Sequence, residues 1–239
     1  MGSGTANCIS KARILIADDH PMLRSGLRCL IENQADMMCC AEAGTAEEIW
    51  QAVEAQTPDL IILDLRLRSS DGLDLIKGLK ARHPGLRILV LTQHAASVYV
   101  ERALKAGALG FVAKEEGAEE IVTAIRTVLA GDVYLTRGMA ALFLSRIVRQ
   151  PLDTVGADFD QLSDRELHVV QLLGAGLSTR QIATQLNLSF KTVETHRENI
   201  KRKLGLRGAA ELVHFAVRWA GEHVALAPLA GRETVPGKA

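Results

Sequence analysis

The sequence predicts an α/β domain built on a five-stranded, doubly wound parallel sheet, followed by a smaller all-helical domain. Strand-like and helix-like segments alternate five times between residues 11 and 131, which is typical of a parallel sheet with right-handed crossovers. One strand, at residues 60–63, is a continuous apolar run of the kind buried on both faces of such a sheet. Beyond residue 162 the apolar residues recur with helical spacing.

The net charge of zero hides an asymmetry between the two halves of the chain. Residues 1–136 carry 14 Lys and Arg against 18 Asp and Glu, whereas residues 163–220 carry 9 against 5. An acidic first half joined to a basic second half indicates two domains, the second of which meets a polyanion.

The composition indicates an ordinary globular protein, because 48% of the 239 residues are hydrophobic and 23% are charged. No apolar run has membrane-spanning length and no signal-peptide pattern is present, so we expect a cytoplasmic protein without membrane contact. The cysteines have neither C-x-x-C nor paired histidine spacing, which favours reduced thiols over a zinc site or a disulfide framework.

The elements of the first half follow from apolar runs and cap residues. Pro21 suits the first turn of a helix that follows a strand at 13–17. Thr45 is predicted to cap a helix over 45–56, with Glu48 at the capping-box position. The remaining predicted segments are strands at 37–42, 60–64, 87–91 and 109–112, and helices at 73–82, 97–106 and 116–130.

Charged and polar side chains follow four of the predicted strands. They are Asp18 and Asp19, Asp64, Thr92 and Lys114, and in a parallel sheet the carboxyl ends of the strands share the edge where ligands bind. Clustered carboxylates repel one another unless a cation lies among them, and oxygen ligands favour Mg²⁺. A carboxylate can also accept a phosphoryl group as an acyl phosphate. No glycine-rich phosphate loop occurs, which argues against a dinucleotide-binding or P-loop enzyme.

This set of residues resembles the receiver domain of bacterial two-component response regulators, which has a flavodoxin-like (CheY-like) fold. The resemblance covers residues 11–131 and includes the segment Phe111-Val112-Ala113-Lys114. It implies that Asp64 is the phosphoacceptor. It implies Mg²⁺ ligation by Asp19, by Asp18 through water, by Asp64 and by the backbone carbonyl of Arg66. It also implies that the phosphoryl group is sensed by Thr92, Lys114 and the aromatic switch Phe111.

Three further side chains lie near this predicted edge. His20 and His94 are expected to be solvated loop histidines. Arg66 places a long cationic side chain two residues after the phosphoacceptor, and one hypothesis is that it shields the acyl phosphate from water or alters partner choice.

The segment at 132–161 is predicted to be a linker with a helix at 136–148. Residues 150–161 contain Pro, Gly and three Asp with few apolar residues, which is typical of a flexible joint. The sequence leaves open whether the helix packs on the first domain, on the second or on another chain. Residues 1–10 and 221–239 are predicted to be an N-terminal extension and a C-terminal tail.

The second half, at 162–220, is predicted to be a helix-turn-helix domain. Ser163 and Glu166 form a capping box, and two short helices separated by a three- or four-residue turn follow. In the helix at 190–204 the apolar face contains Val193, His196, Ile200 and Leu204. The opposite, mostly basic face contains Lys191, Thr195, Glu198 and Arg202. A helix with this division suits a DNA major groove.

The motifs S-D-R-E-L, Gln181-Ile182-Ala183 and K-T-V-E-T-H (191–196) resemble the LuxR-type helix-turn-helix. A receiver domain followed by this domain identifies the NarL/FixJ subfamily of response regulators. We expect Lys191 and Thr195 to contact bases. Phosphate contacts are expected from Thr192, Arg197, Lys201 and Arg202. For Glu194 and Glu198 two alternatives stay open, namely a bond from cytosine N4 or exposure to solvent.

The predicted function is a phosphorylation-controlled transcriptional regulator rather than an enzyme. A sensor histidine kinase is the expected phosphoryl donor, DNA and a phosphorylation-induced homodimer partner are the expected ligands, and RNA polymerase is a further candidate. Two alternatives stay open. One is a phosphatase that forms an aspartyl phosphate, although such enzymes usually have an Asp where this chain has Arg66. The other is a DNA-binding regulator controlled by a protein partner without phosphorylation.

Overall fold

The computed structural model describes residues 11–65, 67, 72–92, 97–149 and 161–223. The predicted N-terminal extension, Arg66, His94, nearly all of the predicted joint and most of the C-terminal tail lie outside the described residues. Within the described ranges, no helix combines the length and apolar character needed to cross a bilayer.

The first domain is the predicted parallel sheet, with one strand more than the sequence indicated. The strands pair in the order β2-β1-β3-β4-β5-β6, and every pair is parallel. Their bounds are β1 Ala12–Ala17, β2 Met37–Ala43, β3 Leu60–Leu63, β4 Arg87–Thr92, β5 Gly110–Ala113 and β6 Tyr134–Leu135. The sixth strand, β6, was not predicted, because two residues are too few to show an alternating pattern.

Helices cover both faces of this sheet. They are α1 Pro21–Glu32, α2 Ala46–Gln56, α3 Gly72–Arg82, α4 Ser97–Ala106, α5 Ala118–Ala130 and α6 Arg137–Arg149. Successive residues of a strand face opposite sides, so Ile61 lies in the core beneath α2, α3 and α4, and Ile62 lies in the core beneath α1 and α5. All four residues of β3 are fully buried, which confirms the interpretation of the apolar run. The predicted cap of α2 is also confirmed, because the Thr45 side chain accepts a hydrogen bond from the Glu48 backbone N–H.

The linker helix α6 packs on the first domain, which settles a question that the sequence left open. Met139 is 5% exposed and lies in the same core as Phe111 and Val100.

The second domain consists of four helices around a separate apolar core. They are α7 Asp164–Gly174, α8 Thr179–Gln185, α9 Phe190–Lys203 and α10 Ala209–His223. The predicted capping box of Ser163 and Glu166 is present, and Ser178 and Gln181 form a second one. Val193 and Ile200 of α9 are fully buried, as the helical periodicity predicted.

Two side chains of α4 contact the second domain. Arg102 Nη1 lies 2.5 Å from Asp164 Oδ1, and Arg102 Nη2 donates to the Leu162 carbonyl at 3.0 Å. Lys77 of α3 lies 3.4 Å from the same Asp164 carboxylate, and the partly buried Tyr99 packs against the cores of both domains. The first turn of α7 is therefore joined to the α3–α4 side of the first domain by ion pairs and by apolar packing.

We expect Gly174→Ala to destabilise the second domain. A Cβ at this position would lie 2.4 Å from the Ala216 carbonyl oxygen of α10 and 2.8 Å from the Ala220 Cβ, so α7 and α10 would have to separate. Overpacking of this kind costs about 1–3 kcal/mol, which chemical denaturation of the full chain would measure. The matched control is Gly221→Ala, where nothing lies within 4 Å of the new methyl group. Equal stability of the Gly174 variant and the wild type would contradict this packing of α7 on α10.

Candidate functional site

Two buried carboxylates lie side by side at the carboxyl edge of the sheet. Adjacent strands β1 and β3 pair in register with Ala17 opposite Leu63, so the residues that follow them, Asp18 and Asp64, become neighbours. The Asp64 backbone N–H donates to the Ala17 carbonyl at 2.8 Å. Both aspartates are 2% exposed, whereas the Asp19 side chain is 13% exposed at the rim.

The ammonium group of Lys114 joins these two carboxylates. Its Nζ lies 2.5 Å from Asp18 Oδ2 and 2.8 Å from Asp64 Oδ2, and the side chain is 7% exposed. Buried charges are costly unless they are paired and hydrogen-bonded, and here one cation contacts two anions. The lysine backbone N–H donates to the Thr92 carbonyl at 2.7 Å, which fixes the start of this side chain beside the end of β4.

Thr92 and Phe111 occupy neighbouring positions on β4 and β5. Thr92 is the last residue of β4 and is 3% exposed at the same edge as the aspartates. Phe111 pairs in register with Val90 and is fully buried in the core. The structure thus brings Asp18, Asp19, Asp64, Thr92 and Lys114 to one edge, with Phe111 beneath them.

His20 lies in the loop before α1 and its side chain is exposed, as predicted, but its ring also contacts the two neighbouring carboxylates. Its Nδ1 lies 2.8 Å from Asp19 Oδ1 and 3.0 Å from Asp18 Oδ1, although the side chain is 58% exposed. The backbone N–H of His20 also donates to Asp18 Oδ1 at 2.8 Å.

Four side chains form a group of metal-ligating atoms at this edge. One ligand atom from each of Asp18, Asp19, His20 and Asp64 lies within 4.8 Å of every other. Three carboxylates suit a hard divalent cation, so the donor set fits Mg²⁺. The carbonyl of Arg66, the other predicted ligand, lies outside the described residues.

The face of α9 that was predicted to meet DNA is exposed. Lys191, Thr195, Glu198 and Arg202 are all exposed, opposite the buried Val193 and Ile200. Ser189 caps the helix, because its hydroxyl accepts from the Thr192 backbone N–H at 3.0 Å and lies 2.8 Å from the Thr192 hydroxyl. His196 is half-buried, and this burial lowers its pKa.

Arg197 has a structural role that sequence analysis missed. Its guanidinium donates to the Thr179 hydroxyl of α8, and that hydroxyl donates to Glu194 Oε1 at 3.0 Å. The side chain is only 16% exposed and lies 3.6 Å from Glu194. This cluster joins α8 to α9, so the two helices of the motif are fixed to each other by polar contacts as well as by their apolar core.

A second polar contact fixes α9 to α7. Lys203 Nζ lies 2.6 Å from Glu166 Oε2, and the Glu166 side chain is 4% exposed. Burial alone would raise the pKa of Glu166, but the bonds from Lys203 and Ser163 outweigh it and hold that pKa below its usual value. The orientation of the exposed α9 face is therefore set from both neighbouring helices.

Comparison with known proteins shows the same two parts. Residues 14–126 match the model of the response regulator receiver domain, and residues 160–216 match that of the bacterial regulatory proteins of the luxR family. The chain is 37% identical over 207 residues to the transcriptional activator protein ExaE of Pseudomonas putida, covering 85% of this chain and 95% of that protein. The chain belongs to the two-component response regulators. Its LuxR-type second domain assigns it to the NarL/FixJ subfamily.

Two further relatives have the same organisation as this response regulator. The oxygen regulatory protein NreC of Staphylococcus epidermidis is 34% identical over 211 residues, covering 86% of this chain and 97% of that protein. A solved structure of RcsB from Salmonella enterica serovar Typhimurium, bound to promoter rprA in the presence of phosphomimetic BeF₃⁻, superposes with a TM-score of 0.58. That structure is 24% identical in sequence and covers 87% of this chain and 99% of its own, which shows a shared fold. The response regulator is accordingly a transcriptional regulator that joins a receiver domain to a LuxR-type DNA-binding domain.

We expect Lys203→Met to destabilise the second domain of the response regulator by about 1–3 kcal/mol, because it leaves the buried Glu166 carboxylate without its cation. The effect should depend on pH. The folded-state pKa of Glu166 is lowered, so its ion pair contributes fully to the free energy of unfolding above the ordinary glutamate pKa of 4.5. This contribution is lost as the pH falls through the folded-state pKa. Urea denaturation between pH 3.5 and pH 7 would measure it.

The control for that experiment is Lys191→Met, on the exposed face of the same helix. It should leave the free energy of unfolding within about 0.5 kcal/mol of the wild type. Glu166→Gln should remove this part of the pH dependence, and a variant that kept the wild-type slope would contradict the assignment to Glu166.

Proposed function

We propose that Asp64 accepts a phosphoryl group from a sensor histidine kinase and that this modification controls DNA binding by α9. The observation that carries the proposal is the buried Asp64 carboxylate at the carboxyl edge of the sheet, paired with Lys114 and adjacent to Asp18. We assign the receiver domain to residues 11–131 and the DNA-binding domain to residues 162–220. The protein would act in the cytoplasm, where a kinase domain and DNA are both accessible.

The transfer requires a nucleophile and compensation of charge. An oxygen of Asp64 would attack phosphorus while the bond from phosphorus to the nitrogen of the kinase histidine breaks, which leaves an acyl phosphate and a free imidazole. Lys114 already contacts Asp64, so its ammonium is within reach of the new phosphoryl oxygens. The hydroxyl of Thr92, at the same edge, would donate a hydrogen bond to one of them.

Mg²⁺ is the proposed cofactor, held by Asp18, Asp19 and Asp64, and it would offset the negative charge of the phosphoryl oxygens. The chemistry of the donor set supports this assignment, because three carboxylates converge there and, among the described residues, Lys114 contributes the one ammonium group that contacts them. These carboxylates would orient the ion, and Lys114 contacts two of them, Asp18 and Asp64.

The DNA partner is proposed on the exposed face of α9. Lys191 and Thr195 would contact bases, whereas Thr192, Lys201 and Arg202 would contact phosphates. Arg197 is largely engaged with Thr179, so only its outward N–H groups are available to a phosphate. RcsB, a structure of the same fold, is bound to a promoter in the presence of a phosphomimetic, which supports DNA binding coupled to phosphorylation. A phosphorylated homodimer would present two such helices to two half-sites.

We expect Asp64→Asn to abolish labelling by acetyl phosphate in the presence of Mg²⁺, because the amide cannot form an acyl phosphate. Intact-mass spectrometry would detect the added phosphoryl group in the wild type. Selection of bound sequences from random DNA, with and without phosphorylation, would then show whether affinity for the recovered site rises in the wild type alone.

The control is Asp74→Asn, which alters an exposed aspartate on α3 and should be labelled like the wild type. If both proteins bind the recovered site equally well with and without the phosphoryl donor, DNA binding is independent of Asp64 and the phosphorylation proposal fails. If the wild type releases phosphate from unrelated phosphoesters, the alternative of a phosphatase is favoured.

Loss of a base contact and loss of a phosphate contact should change the DNA affinity in different ways. Lys191→Ala is expected to cost about 1–3 kcal/mol at the selected site and to relax the preference for one base pair. Arg202→Ala is expected to weaken binding to all sequences alike and to reduce the slope of log K against log salt by about 1. Fluorescence anisotropy at several salt concentrations would measure both effects. Lys105→Ala, on an exposed lysine of α4, is the control, and an equal loss there would contradict the assignment.

A further inference from the structure

His20 is part of the acidic site in the structure although it has no role in the phosphoryl transfer described above. It is one of four residues whose potential ligand atoms lie within 4.8 Å of one another. Nδ1 lies 2.8 Å from Asp19 Oδ1 and 3.0 Å from Asp18 Oδ1. Neighbouring ligands in an octahedral complex with bonds of about 2.1 Å lie about 3 Å apart, so these separations fit adjacent coordination positions.

The two oxygens of the Asp18 carboxylate face different side chains. Its Oδ2 contacts Lys114, which also contacts Asp64 Oδ2, whereas its Oδ1 faces the His20 ring. Lysine therefore occupies one side of the cluster, and the other side carries an oxygen from Asp18, an oxygen from Asp19 and the nitrogen of His20. A metal ion at that side would meet a mixed nitrogen and oxygen donor set.

The backbone holds His20 in this position. Its N–H donates to Asp18 Oδ1 at 2.8 Å, and Pro21, with its fixed φ, begins α1 directly afterwards. The ring is 58% exposed, so an ion and its water ligands can approach from solvent without moving the core.

We propose that His20 ligates the divalent ion through Nδ1 and that it shifts the preference of the site from Mg²⁺ toward Mn²⁺. The inference rests on the proposed metal site of Asp18, Asp19 and Asp64. Mg²⁺ is a hard ion that selects oxygen ligands, whereas imidazole nitrogen increases affinity for divalent transition ions. In the ligating form, the imidazole would carry its one proton on Nε2 and present the lone pair of Nδ1 to the ion.

Pulsed electron paramagnetic resonance on the full chain with one equivalent of Mn²⁺ tests the proposal directly. We expect modulation from a directly bound ¹⁴N in the wild type, and we expect it to change to the ¹⁵N pattern when the protein is labelled with ¹⁵N-histidine. His20→Ala should lose this modulation. It should also lower the ratio of Mn²⁺ to Mg²⁺ affinity by at least about tenfold, measured by competition.

The control is His214→Ala, which alters an exposed histidine of α10 and should retain the nitrogen signal. Circular dichroism would check that the variants are folded, and His20→Asn replaces the alanine variant if that one is not. If Mn²⁺ binds without nitrogen modulation, or if the modulation persists in the His20 variant, the role of His20 is overturned while the metal site stands. If neither Mn²⁺ nor Mg²⁺ binds the wild type, the proposed metal site itself fails.

Discussion

The arrangement of the first domain depends on one buried ammonium group between two buried carboxylates. Lys114 reaches from the end of β5 to Asp18 and Asp64 at the ends of β1 and β3, so one side chain connects three of the six strands described. Without it, two carboxylates that are 2% exposed would repel each other in a poorly solvated site. Removal of the cation from such a group leaves uncompensated charge, which is far more costly than loss of a surface ion pair.

The ammonium group of Lys114, which stabilises the fold, would also respond to phosphorylation of Asp64. A phosphoryl group on Asp64 would add negative charge at the position that Lys114 now neutralises, so the lysine must redistribute its contacts. Thr92 ends β4, which lies beside β3, and Phe111 on the next strand, β5, lies in the core that α4 covers. Under the proposed function, a rearrangement at the edge would therefore reach α4 through packed side chains.

In the second domain, smaller polar clusters join the helices to one another. Glu166 with Lys203 joins α7 to α9, and Thr179 with Arg197 and Glu194 joins α8 to α9. Because α9 is held from two sides, its exposed face keeps a fixed orientation relative to the rest of the domain. Glu194 is one of the acidic residues whose role the sequence left open, and in the structure it accepts a hydrogen bond from the Thr179 hydroxyl.

Sequence reasoning was most successful where a pattern is local or where topology makes it unavoidable. The run at 60–63 predicted a buried strand, and the parallel order then required Asp18 and Asp64 to meet at one edge. The strand β6 has too few residues to show a period, and the place of His20 beside the carboxylates depends on a backbone turn. Contacts such as Arg102 with Asp164 join residues 62 positions apart, and no local pattern predicts which surface charges will meet.

The contact between Arg102 and Asp164 has a consequence for the construction of hybrid regulators. One partner lies on α4 of the receiver domain and the other in the first turn of α7, so both sides of the linker contribute to a single ion pair. A chimera that takes its receiver from one regulator and its DNA-binding domain from another would combine an α4 and an α7 that were not selected together. Sensor engineering with this scaffold therefore has to transfer positions 77, 99, 102 and 164 as a set, or restore their charges after the exchange.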